Sequence, residues 1–292
     1  LIASSLRRAR AAAAVTAAGL IVPLGACTPA TTGLASSSPA DSVSGLPGSH
    51  IHGMAVNDQT GQILLATHEG LFDISHTPAT KIGPTNDLMG FTTAHDGGIF
   101  YASGHPGKDS TLPNPVGLIR SGDGGETWEQ LSRQQESDFH ALTTTKSGIV
   151  AFDGTLMTSP DGKNWTKVAA GFTPAVLAGN AHSDTVLATT PQGLHRSTDA
   201  GTTWTLNNSA PVVQYAAFAS TNDVVGVQPD GSVQVSADSG ATWSSKGRIS
   251  GSVQAIAAVK TQDGTLRIWA ATDAGVETSA DGGATFAPYQ PG

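Results

Sequence analysis

A single cysteine, Cys27, excludes an internal disulfide. Charged residues are scarce at 13%, and 15 Lys and Arg stand against 23 Asp and Glu. That balance leaves no basic surface of the kind nucleic acid needs, and no nucleic-acid partner is expected. The apolar stretch 11–24 is too short to span a bilayer securely. Arginine is also thin: residues 50–292 hold only Arg120, Arg133, Arg196, Arg248 and Arg267.

Glycine is plentiful, with 35 residues. Few charges and many glycines suit short strands joined by tight turns. The organising stretch is Ser197-Thr-Asp-Ala-Gly-Thr-Thr-Trp204, and it recurs. It returns as SGDGGETW at 121–128, SADSGATW at 236–243 and SADGGATF at 279–286, and one residue shorter as SPDGKNW at 159–165. The starting serines are 38, 38, 39 and 43 residues apart. A period near 40 built on turn chemistry signals a repeat architecture. In each box the Asp accepts backbone hydrogen bonds and the Gly supplies a positive φ. The Trp or Phe then opens the next strand with a large apolar surface. The box carboxylates are Asp123, Asp161, Asp199, Asp238 and Asp281, and their expected role is structural.

The pattern resembles the Asp-box (BNR) repeat of sialidase-like β-propellers over about residues 50–290. The resemblance implies an all-β propeller of four-stranded blades, with a box turn between strands C and D. Six units can be counted: about 50–84, 88–132, 138–169, 174–208, 211–248 and 252–289. Six blades are expected, with seven as the alternative. The first unit lacks a clear box, and the second carries an insertion at 104–115. Sialidases of this fold hold a carboxylate with three arginines and use a Tyr nucleophile paired with Glu. The five arginines map to strand ends away from the upper mouth or to the outer edge, so no such triad is expected.

Residues 1–26 read as a lipoprotein signal peptide, with Arg7, Arg8 and Arg10 ahead of the apolar stretch. Leu24-Gly-Ala-Cys27 resembles a lipobox, which implies cleavage before Cys27 and lipidation of its thiol. An ordinary secretory signal is the alternative. Cleavage removes three of the 15 basic residues and no acid, taking the formal charge from −8 to −11. Residues 27–49 then form the lipidated Cys and a flexible tether rich in Ser, Thr, Ala, Pro and Gly. Residues 50–292 form the propeller. The expected location is the cell envelope, lipid-anchored outside the cytoplasmic membrane, and the expected state is a monomer.

Strand order places five of the nine histidines at the rim where strand A starts and strand B ends, here called the upper rim. His50 and His52 open strand A of unit one, and His68 ends its strand B. His105 ends strand B of unit two, and His140 opens strand A of unit three. His76, His95 and His182 map to lower turns and His195 to a strand C. Imidazoles gathered on one rim are a candidate metal or catalytic site. The candidate metal ligands are His52, His68, His105 and His140, for copper or zinc. His50, His52, Glu69 and Met89 are candidate binding residues for a small molecule, glycan or metal. Asp138 and His140 are candidate catalytic groups.

The segments His50-Ile-His-Gly, Ala66-Thr-His-Glu-Gly, Met89-Gly-Phe, Ala102-Ser-Gly-His-Pro and Asp138-Phe-His-Ala-Leu together resemble bacterial exported proteins known as glycosyl hydrolases or BNR-repeat proteins. That resemblance implies glycoside hydrolysis, which needs two facing carboxylates from among Asp138, Asp153, Glu69 and Asp87. Three functions follow for testing: a metal or small-ligand binding module, a glycoside hydrolase, or an interaction platform without chemistry.

Overall fold

Six antiparallel four-stranded sheets follow one another along the chain, each built from consecutive strands. The structure, a computed structural model, describes residues 50–57, 60–94 and 98–292. The expected signal segment, Cys27, the tether and His95 lie outside those residues. Blade 1 comprises β1 (Ile51–Val56), β2 (Ile63–Thr67), β3 (Gly70–Asp73) and β4 (Thr80–Ile82). Blade 2 comprises β5 (Asn86–Thr93), β6 (Phe100–Pro106), β7 (Leu118–Ser121) and β8 (Glu129–Ser132). Blade 3 comprises β9 (Ala141–Thr145), β10 (Gly148–Phe152), β11 (Leu156–Ser159) and β12 (Thr166–Lys167). Blade 4 comprises β13 (Val176–Ala178), β14 (Val186–Thr190), β15 (Gly193–Ser197) and β16 (Thr205–Asn207). Blade 5 comprises β17 (Tyr215–Phe218), β18 (Val224–Val227), β19 (Ser232–Ser236) and β20 (Ser244–Arg248). Blade 6 comprises β21 (Val253–Lys260), β22 (Leu266–Thr272), β23 (Gly275–Ser279) and β24 (Ala287–Pro288). The protein is a six-bladed β-propeller, and the inner strands β1, β5, β9, β13, β17 and β21 touch one another in ring order.

Burial follows from position in the blade. The second strands lie between neighbouring blades and are buried on both faces, as in Ile63–Thr67 and Val186–Thr190. Their sequences, ILLAT and VLATT, are therefore apolar runs without clean alternation. The outer strands are short and exposed.

The boxes close on themselves and grip the preceding blade. In the blade 5 box, Thr242 donates to Asp238 through its backbone N at 2.8 Å and its hydroxyl at 2.6 Å. Ser236 Oγ donates to the same carboxylate at 2.7 Å and accepts from Gly240 N at 2.8 Å. The Thr242 hydroxyl, then the Thr242 backbone and Ser236, push the Asp238 carboxyl down to about 2. Gly240 has φ +83°, and a Cβ there would stand 2.8 Å from Leu187 of blade 4. Gly125 of blade 2 likewise presses on Leu71 of blade 1, where a Cβ would come within 2.5 Å. These glycines are fixed by backbone angle and by the lack of room for a side chain. In the shortened blade 3 box, Asn164 replaces the threonine and donates its side-chain amide to Asp161 at 2.7 Å.

Each interface between blades is a separate apolar cluster, and five of the six carry the box aromatic of the later blade. Trp128 packs between blades 1 and 2, Trp165 between 2 and 3, and Trp204 between 3 and 4. Trp243 and Phe286 serve the next two interfaces. Blade 1 contributes no box, so the closing interface between blades 6 and 1 needs another filler. Trp269 of β22, the one tryptophan outside the boxes, is buried there against Ile51, Ile63, Leu65 and Ile74. Among the described residues closure uses no exchanged strand, and it rests on this cluster and on bonds such as Ile51 N to Gln254 Oε1 at 3.1 Å and Gly292 N to Ser75 O at 3.1 Å.

Replacing Trp269 by Ala is expected to cost about 3–5 kcal/mol of unfolding free energy in a urea titration, as for a large core aromatic. Leu206→Ala on the exposed outer strand β16 is expected to change it by under about 0.5 kcal/mol. Equal losses for the two would show that Trp269 does not hold the ring closed.

Candidate functional site at the upper rim

The upper rim is shaped by irregularities in the inner strands. β1 shifts register between Ile51 and Gly53, β5 between Leu88 and Gly90, and β21 between Val253 and Ala255. The extra residues are His52, Met89 and Gln254, in three adjacent blades, and all three line the central channel. A β-bulge re-aims a side chain and is common beside binding sites. The channel cavity is about 410 Å³, with His50, His52 and His140 at its mouth and apolar groups such as Phe91 and Ile256 also on its wall.

Three imidazoles converge on one side of this mouth. One ring nitrogen each from His50, His52 and His68 can be chosen so that all lie within 4.8 Å of one another. His52 Nε2 stands 3.3 Å from both ring nitrogens of His68. Asp87 closes the group: its Oδ2 is 2.9 Å from His68 Nδ1, and its Oδ1 is 3.8 Å from His52 Nε2. Burial, reinforced by the neighbouring His68, pushes the His52 imidazole down to about 4. Asp87 opposes that shift, and His50 and His140 add to it. His52 is therefore neutral at pH 7, with a lone pair available to a ligand.

A second group continues round the rim. Asp87 pairs in register with His105 across β5 and β6. His105 Nε2 lies 3.2 Å from Asp138 Oδ2, and the same oxygen accepts from His140 Nε2 at 2.7 Å. His105 Nδ1 lies 2.8 Å from Asn114 Oδ1, at the base of the insertion. Asp138 and His140 sit on a loop fixed from below. Ser137 is fully buried, donating to Asp153 Oδ2 at 2.6 Å and accepting from Arg133 Nε at 2.6 Å. Phe139 N donates to Ser103 Oγ at 2.8 Å, and its ring is buried. A cleft of about 530 Å³ opens between blades 2 and 3, lined by His105, Glu136, Asp138, His140, Phe152 and Asp153. His140 borders both cavities.

Both central carboxylates are half satisfied. Asp87 Oδ1 and Asp138 Oδ1 are buried without a hydrogen-bond partner. A buried acceptor left unmade costs about 1–3 kcal/mol, which a cation or a donor ligand would offset.

The sequence-proposed residues divide between these groups. His50, His52 and His68 come together, while His105 and His140 gather on Asp138. Among the described residues only the first three form a group of metal-ligating size and spacing. Met89 lines the channel from β5. Glu69 lies in the exposed turn after β2, its backbone N donating to Thr67 Oγ1 at 3.0 Å. Arg133, expected on the outer edge, instead reaches Asp153, with Nη2 3.8 Å from Oδ2. One guanidinium makes no triad. Arg120 pairs with Glu129 at 2.8 Å, and Arg267 lies over Trp269. Asn114 and the bulge residue Gln254 escaped sequence reading, because neither carries a motif. Of the remaining described histidines, His76 and His182 lie in lower turns, and His195 stacks on Phe172 at 4.0 Å.

The chain is thus an all-β, six-bladed propeller with a histidine cluster at one mouth of its channel. No protein-family model matches it, and no curated protein does. Solved structures do. It is similar to the GH74 enzyme of Niastella koreensis at 17% identity and TM-score 0.55, over 84% of this chain and 38% of that one. It is similar to the GH74 xyloglucanase of Xanthomonas campestris at 15% identity and TM-score 0.56, over 83% and 45%. YCF48, solved bound to D1 peptide, gives 17% identity and TM-score 0.51 over 82% and 81%. The chain spans less than half the length of the two GH74 enzymes. At identities this low the likeness establishes the fold alone.

The His52 shift has a consequence for stability. Below its ordinary value of 6.5 the unfolded chain takes up a proton that the folded chain refuses until about 4. The His52 contribution to stability is therefore level above pH 6.5 and falls as pH drops from 6.5 to 4. The urea midpoint is expected to fall across that window, and His52→Gln is expected to flatten the fall. Identical slopes for the two proteins would refute the assignment.

Proposed function

We propose that this protein is an extracytoplasmic metal-binding propeller whose ion is held by His50, His52 and His68. The observation that carries the reading is the convergence of three imidazole nitrogens within 4.8 Å. Two nitrogens on one tetrahedral ion at 2.0–2.1 Å stand about 3.3 Å apart. The His52 to His68 separation is 3.3 Å. Asp87 supports the set in one of two ways: as a fourth ligand, or as the carboxylate that orients His68 through its second nitrogen. The neutral state of His52 suits this role, since a metal binds deprotonated imidazole. Export and anchoring through lipidated Cys27 belong to the same proposal, and Cys27→Ser would release the chain from a membrane fraction if they hold.

Calorimetric titration with zinc is expected to show one ion per chain. His52→Ala or His68→Ala is expected to weaken binding by about 100-fold or more, and Asp87→Asn by roughly 10–100-fold. His76→Ala, at the other end of the ring, is expected to leave it unchanged. Wild-type protein that binds neither zinc nor copper would sink the reading.

A glycoside-hydrolase reading draws on one observation, the pairing of Asp138 with His140 beside a cleft that also holds Asp153 and Glu136. Turnover of chromogenic glycosides that disappears in Asp138→Asn would place it first.

A further inference from the structure

We infer that the rim site takes copper in its monovalent state in preference to zinc, and that the thioether of Met89 sets that preference. The inference rests on the metal-binding reading above and adds the identity of the ion.

β1 and β5 are adjacent inner strands, and each is bulged at one step near the upper rim. The bulge residues are His52 in one strand and Met89 in the next, and both line the same channel. Met89 lies two residues beyond Asp87, whose carboxylate already reaches His68 at 2.9 Å. The strand end that touches the imidazole group therefore also carries the sulfur. Met89 is half-buried. Of the other two methionines, Met157 is buried between blades 2 and 3, and Met54 lines the channel two residues beyond His52 on β1 while packing against the closing cluster.

The chemistry separates the two ions. Imidazole serves zinc and copper alike. Zinc sites are completed by thiolate, carboxylate or water, not by thioether. A thioether is a soft, uncharged ligand that favours monovalent copper. Imidazole and thioether ligands add no charge of their own, so the single positive charge of that ion falls to Asp87. The competing explanation is that Met89 fills space, as methionine often does. Leucine would fill the same space without the sulfur, so the two explanations part on substitution.

The test uses the full chain carrying Cys27→Ser, so that no thiolate competes for copper. Affinity for monovalent copper is measured anaerobically against bicinchoninate, and affinity for zinc against a chromogenic dye. Met89→Leu is expected to lower the copper-to-zinc affinity ratio by about tenfold or more. Met54→Leu, lower on β1, is expected to leave the ratio within about twofold. A ratio unchanged by Met89→Leu overturns the inference, as does a parent protein that binds zinc but no monovalent copper. Failure to bind either ion removes the metal reading itself, which keeps the two failures distinct. X-ray absorption on the copper-loaded parent gives a check that needs no variant. A sulfur neighbour supports the assignment, and a shell of nitrogen and oxygen alone overturns it.

Discussion

Everything in this propeller depends on how one blade grips the next. Each blade is a small sheet that cannot bury its own apolar faces, so the cores lie between blades. The box turns supply the grip. A carboxylate clamp such as Asp238 with Thr242 and Ser236 holds the turn, its glycine lies flush on the preceding blade, and its aromatic ring enters the shared cluster. Repeated five times, this sets the angular step of the ring. The sixth interface lacks a box, and Trp269 supplies the missing ring from the opposite blade. Within the described residues the circle is closed by side-chain packing without strand exchange, which makes that residue a point of concentrated stability.

The ring in turn determines what its mouth can do. Inner strands meet at the axis, so residues more than eighty positions apart, such as His52 and His140, border one channel. Regular pleating alone would leave the strand ends alike in every blade. The bulges in β21, β1 and β5 break that equivalence and turn Gln254, His52 and Met89 towards the channel. Two carboxylates then organise the imidazoles, Asp87 on one side and Asp138 on the other. Buried Ser137, held between Arg133 and Asp153, fixes the second of these from beneath. The result is one rim with two joined groups, one spaced for an ion and one arranged as a carboxylate between two histidines.

Much of the scaffold could be read from the chain because its signals are local. Asp, Gly and Trp at fixed spacing mark each box, and the strands of the first blade follow from runs such as ILLAT before Gly70. Antiparallel order then assigns strand ends to rims, which is how His68 and His140 could be placed on the same rim. The missing parts are those that local pattern does not encode. A bulge adds one residue to a register, and periodicity of two cannot reveal it. Arg133 follows an outer strand, yet its long side chain crosses back to Asp153. Trp269 sits in a strand like any other apolar residue, and only closure shows what it fills. Asp87 and Asp138 read alike as acids near histidines, but the division of five imidazoles between them is a three-dimensional fact.

The central claim is that His50, His52 and His68 act as one chelating unit. The most direct measurement is the imidazole nitrogen NMR spectrum of the protein, assigned by single variants and followed as zinc is added. Ring nitrogens of these three residues should shift together and saturate at one ion per chain, while those of His76, His182 and His195 stay in place. Shifts spread over all the histidines, or none at the three, would contradict it.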